Sequence, residues 1–159
     1  MTHDENHKLV MAVRKPLHEL HRNMLLTLKK DHERISGKVL NPTEWFQLLI
    51  SSPEFQWMRP LNSLMADLDA LLDLNAIAEV DLSILRQELD KLFFRDDDDV
   101  TSFNSHYRKL FKDNHEIMYS HGSLKEAVAG LSAKQPPVNS DEIRRSWHKT
   151  GASKRKLMN

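Results

Sequence analysis

Apolar residues return at three- and four-residue steps along most of this chain, and runs of alternating β-branched residues are missing. That spacing belongs to amphipathic helices, which present one apolar stripe to a core. Only four glycines interrupt the chain. The expected fold is therefore all-α: a helical bundle of about five helices over residues 1–131, two of them bent at Pro, with a flexible basic C-terminal tail over 132–159. At 159 residues such a domain buries roughly two-thirds of its unfolded surface and needs no staple.

The first helix is expected from about residue 4 to 35, with Val13, Leu17, Leu20, Met24, Leu28 and Ile35 as its stripe. Pro16 lies inside it and predicts a bend or break. Gly37, just past the stripe, suits a left-handed C-terminal cap. "NPTE" at 41–44 reads as a helix start, with Asn41 as cap, Pro42 first in the helix and Glu44 reaching back. "SSPE" at 51–54 repeats that grammar and predicts a long helix to about Asp73, bent at Pro60. Further helices are expected over 79–94, around Phe103 to Phe111, and from Ile117 to Leu131. Beyond Leu131 the pattern dissolves, although "SDEIRRSW" at 140–147 allows one or two turns anchored by Ile143 and Trp147.

Composition removes several chemistries. With no Cys, the chain has no disulfide, thiolate nucleophile or cysteine-held metal. No apolar run approaches the roughly 20 residues of a membrane span, and the polar start "MTHDENHKLV" is unlike a secretory signal, so the expected location is cytoplasmic. Gly-rich phosphate loops, G-x-S-x-G and His-Glu-x-x-His are absent, so no catalytic residue is assigned and the expectation is not an enzyme.

The net charge is zero, but the charges are segregated. Residues 66–99 carry eleven acids against three bases, a local charge of −8, and residues 132–159 carry seven bases against two acids, +5. A basic tail of this kind either reaches a polyanion or lies on its own acidic face, and the second is the cheaper reading. The neutral total disfavours nucleic acid, leaving weak binding through the tail as a second alternative. Four consecutive aspartates at 96–99 lack the glycine and the bidentate glutamate of a calcium loop, and they suit the positive end of the helix that follows.

Histidines give the one metal reading. His18, His21 and His32 fall along the edge of the first stripe; His21 and His32 are about 16 Å apart along the axis, too far to share an ion. No Glu-x-x-His motif completes a di-metal bundle site. His121, by contrast, stands at a central stripe position between Ile117 and Leu124, and a buried neutral imidazole needs a hydrogen-bond partner. No cofactor is expected; if the interior holds a metal or cofactor, His21 and His121 are its ligands.

The densest aromatic stretch is "EWFQLLISSPEFQWMRPL", 44–61, with Trp45, Phe46, Phe55 and Trp57. A short helix apolar on all sides cannot hide every face in a small bundle, so part of it forms a groove or a dimer contact. Trp45, Phe46, Phe55, Trp57 and, in the tail, Trp147 are the candidate partner-binding residues. "NPTEWFQLLISSPEFQWMRPLNSLMADLD" (41–69) and "FNSHYRKLFKDNHEIMYSHGSLKEA" (103–127) together resemble a family of small bacterial all-α proteins to which no activity is assigned. The likeness spans roughly 15–130 and rests on Ser-Pro-x-Phe-x-Trp-x-Arg-Pro-Leu and the His of "YSHGS". It implies a bacterial, cytoplasmic helical domain and carries over no site residues. The expected function is a non-enzymatic interaction or regulatory module that binds a protein partner or forms a homodimer through 44–61, and through the tail as a second contact.

Overall fold

Seven α-helices succeed one another among the described residues, and no strand occurs there: α1 (His3–Ser36), α2 (Pro42–Ser51), α3 (Arg59–Leu72), α4 (Glu79–Leu89), α5 (Phe103–Phe111), α6 (His115–Val128) and α7 (Ser140–Met158). The computed structural model describes residues 3–136 and 139–158, with side chains described within 4–136 and 139–149. Pro137, Val138 and Asn159, part of the expected tail, lie outside the described residues.

Seven helices stand where about five were expected, and one of them starts later than its sequence signal. The stretch from Pro53 does not open one long helix. It forms a 3-10 turn, Pro53–Met58, and α3 starts only at Arg59. Prolines explain the step. Pro53 and Pro60 each occupy one of the first two positions of their element, where the missing N–H costs nothing. Pro60 thus marks a helix start, while Pro16 lies inside α1, which continues through it. The added helix is α7, which lies within the stretch expected to be tail and extends well past the one or two turns allowed at 140–147.

The local signals at α2 work as chemistry requires. Asn41 Oδ1 accepts from Glu44 N–H at 2.8 Å, and Glu44 Oε1 accepts from Asn41 N–H at 3.2 Å. Gly37 ends α1 at φ 75°, donating its N–H to the Glu33 carbonyl at 2.9 Å. Past α4 the chain makes a short π-helical turn, Asp90–Phe94, before the aspartates.

The core is built on α1. Val10, Val13, Leu17, Leu20 and Met24 have no exposed surface. Against this stripe lie Ile117, Leu124 and Val128 of α6, Leu61, Leu64, Leu68 and Leu71 of α3, and Leu82, Leu85 and Leu89 of α4. Packing of α1 on α6 is the most extensive helix pair in the fold. Two amides sit in that seam: Asn23 donates to Ser120 Oγ at 2.9 Å and Asn114 to Thr27 Oγ1 at 2.8 Å.

The basic segment from 140 is docked, not loose, over its described side chains. Trp147 is 0% exposed, and its indole N–H donates to Asp81 Oδ1 at 2.9 Å. The other oxygen of Asp81 accepts the Ala78 N–H at 2.9 Å, so one carboxylate both caps α4 and holds α7. Arg144 and His148 converge on Asp67 of α3, each at 2.5 Å, and Arg144 also faces Glu88 at 3.8 Å. Ser140 bonds the same Glu88. Opposite charges far apart in sequence meet here, which is why a stretch with few apolar residues still orders. Replacing Trp147 by Ala should destabilise the protein by about 3–5 kcal/mol, through lost burial and a stranded carboxylate. Trp147→Phe should recover part of that loss, and urea unfolding of the three proteins checks both.

Candidate binding surface

The five aromatic candidates do not share one surface. Phe55 is buried, with Trp45 edge-on against it at 5.2 Å between ring centroids. Trp57 is half-buried, stacked on His106 at 5.0 Å and 13° and tilted against Phe103 at 5.5 Å. Trp147 lies in the core. Phe55 and Trp147 are therefore not free to meet a partner, because each gains more from the apolar interior than a surface position offers. Trp45, Phe46 and Trp57 stay accessible in part, Trp45 against Phe55, Trp57 against His106 and Phe103, and Phe46 largely open to solvent.

That division follows from α2, none of whose residues is buried. Trp45, Leu48 and Leu49 are half-covered on its inner side. Phe46 and Ile50, one turn apart, are each 61% exposed. Ile35 and Val39, at the end of α1 and in the connection to α2, are also exposed. An apolar ridge thus runs along the outer side of α2.

On the inner side of α2 a groove of about 710 Å³ opens over α1. Met11, Leu25 and Leu26 of α1 and Pro42 and Trp45 of α2 supply its apolar lining. Arg14, Lys15, Arg22 and Lys29 bring four cations, against one carboxylate, Glu19. Arg14 is held by Asp69 at 3.2 Å, and Lys29 faces Glu33 at 3.9 Å. Neither Lys15 nor Arg22 has a carboxylate within ion-pair distance among the described residues.

His18 and His21 stand in the same groove. The Nε2 of His18 is shielded from solvent and has no hydrogen-bond partner among the described residues. Burial holds the His21 ring below the ordinary imidazole value, a hydrogen bond with the Asn62 side chain opposes this, and His18 adds a smaller push downward. His32 lies apart, 3.5 Å from Glu54.

His121 occupies different surroundings. Its Nδ1 is 2.8 Å from Tyr107 Oη, and the rings of Phe94 and Phe111 meet it edge-on at 5.0 and 4.9 Å. It is half-buried, where the stripe implied full burial. Burial, with the Lys125 ammonium adding to it, holds His121 below 6.5, and burial pushes the Tyr107 phenol well above its usual range. A neutral His121 carrying its proton on Nε2 accepts the phenol hydrogen. His21 thus bonds Asn62 of α3, and His121 bonds Tyr107 of α5. Among the described residues no three His, Asp or Glu side chains gather as a metal site.

The sequence pointed to a groove or contact along 44–61, and Trp45 lines this one, but its other wall was missed because it comes from a different helix. The edge position of His18 and His21 on α1 was the only local signal for that wall. Among the described residues no helix is long and apolar enough to cross a membrane. No protein-family profile matches the chain, and neither the curated proteins nor the solved structures searched contain a match.

The His121 pair has a pH consequence. A histidine whose folded value lies below 6.5 leaves the unfolded chain binding more protons in that window, so stability rises with pH there. The contribution is full above about 6.5 and is lost as pH falls through the lowered folded value. Urea midpoints at pH 7.5 and pH 5.5 should differ less in His121→Asn than in the parent. An equal difference in both proteins would remove His121 as a source.

Proposed function

We propose that this chain is a non-enzymatic interaction module that pairs with a second copy of itself through the outer side of α2. The observation that carries the reading is that α2 contains Trp45, Phe46, Leu48, Leu49 and Ile50, yet buries none of them. Phe46 and Ile50 lie one turn apart, and Ile35 and Val39, earlier in the chain, are exposed as well. Between Pro42 and Ser51 the only charged residue is Glu44, so the ridge is nearly uncharged. A nearly uncharged apolar ridge is complementary to itself, which a two-fold interface requires. Contiguous exposed apolar surface of this kind marks association sites in soluble proteins.

The tail is not used in this reading. Trp147 is committed to Asp81, and Arg144 to Asp67 and Glu88. Lys154, Arg155 and Lys156, expected as part of a basic tail, lie outside the described side chains.

Light scattering after size exclusion should give a dimer mass at tens of micromolar protein. The double variant Phe46→Asp, Ile50→Asp should run as a monomer with an unchanged circular-dichroism spectrum. A parent protein that stays monomeric at every concentration and binds no apolar dye would overturn the reading.

A further inference from the structure

We infer that the groove between α1 and α2 is a binding site for an amphipathic monocarboxylate, with its head on Lys15, His18 and Arg22 and its apolar body against Leu26 and Trp45. The site differs from the outer ridge of α2, and the inference stands on separate observations.

The first is the order of chemistry along α1. Lys15, His18 and Arg22 follow at steps of three and four, so they share one helix face. Leu25 and Leu26 come one turn later, opposite Pro42 and Trp45. A ligand with its charge at one end and its apolar surface at the other matches this sequence of turns. From Lys15 to Leu26 the helix advances about 16 Å, enough for a medium-length chain lying along it.

The second is charge. Among the described residues Lys15 and Arg22 have no ion pair, and the groove they line holds a single carboxylate, Glu19. Cations beside apolar surface favour an anion that also brings apolar area. Arg22 can grip a carboxylate with two parallel N–H donors, while Lys15 adds a point charge.

The third is the Nε2 of His18, a shielded ring nitrogen without a partner. Leaving such an atom unsatisfied forfeits the hydrogen bond it makes in water without replacing it. A carboxylate seated beside it, after a small turn of the ring, would supply the missing partner.

The volume, about 710 Å³, falls within the roughly 300–1,000 Å³ of small-ligand sites. The walls disfavour an extended peptide. They are side chains of helices whose backbone bonds are already made, so a peptide's N–H and C=O groups would find few partners. An aliphatic or aromatic acid carries no such groups along its body.

Calorimetric titration of the full chain with dodecanoate, kept below its micelle-forming concentration, tests the inference. Saturable binding of one dodecanoate per chain is expected. Dodecyltrimethylammonium, with the same tail and the opposite charge, should bind at least tenfold more weakly. Lys15→Glu with Arg22→Glu, both exposed positions, should cost at least tenfold in dodecanoate affinity with the fold intact by circular dichroism. Trp45→Ala should weaken binding independently of charge, and Arg22→Lys, which keeps the charge but loses the two-donor grip, should bind more weakly than the parent and more tightly than the charge-reversed variant. The Phe46→Asp, Ile50→Asp protein should bind dodecanoate as the parent does, so failure of the dimer and failure of this site are separable. Absence of saturable binding, equal affinity for the two surfactants, or full affinity in the charge-reversed variant would overturn the inference.

Discussion

The stripe on α1 is the constraint from which the other elements take their places. Val10, Val13, Leu17, Leu20 and Met24 leave no surface exposed, so α3, α4 and α6 must all approach the same side of one helix about 51 Å long. Three neighbours crowded on one side leave the other side with little cover. That imbalance produces the groove: α2 reaches across from the end of α1, but it stands off far enough to leave space beneath Trp45. The surface read as functional is therefore a by-product of how the core is shared out.

Electrostatics closes the fold where apolar area runs short. The α7 segment brings one indole and a half-buried Ile143 to the core, and the rest of its hold is polar. Asp67 receives Arg144 and His148, Glu88 receives Ser140 and faces Arg144, and Asp81 receives Trp147. Buried or half-buried carboxylates are costly alone, and α7 supplies donors to all three, beside the Ala78 N–H on Asp81 and the Lys91 ammonium 3.5 Å from Glu88. The opposed charges of 66–99 and 132–159 meet across this contact, which leaves part of the basic segment neutralised from within.

Much of the fold was legible in residues close together in the chain. The Asn41–Glu44 cap, Gly37 and the early stripe of α1 were readable because their physics is local. The same stripe misled at its end: Ile35 continues the period but is exposed, since no other helix extends that far to cover it. The docking of α7 was legible as opposed charge and as the anchors Ile143 and Trp147, but its individual pairings were not. Its partners Asp67 and Asp81 lie more than sixty positions away, and no periodicity records such a pairing. At the candidate surface, aromatic density pointed to the correct segment without sorting its members. Trp45, Phe46, Phe55 and Trp57 fall into groove, ridge, interior and a stack on His106, and only the path of the backbone after Ser52 decides among them.

The three tryptophans consequently form a set of internal optical reporters. Trp147 is sealed from water beside a carboxylate, Trp57 is stacked on an imidazole, and Trp45 looks into the groove. Each indole samples a different polarity and a different quencher. A chain retaining only one of them at a time would emit separate signals for the seating of α7, for the integrity of the stack on His106 and for occupancy beneath α2, without any added label.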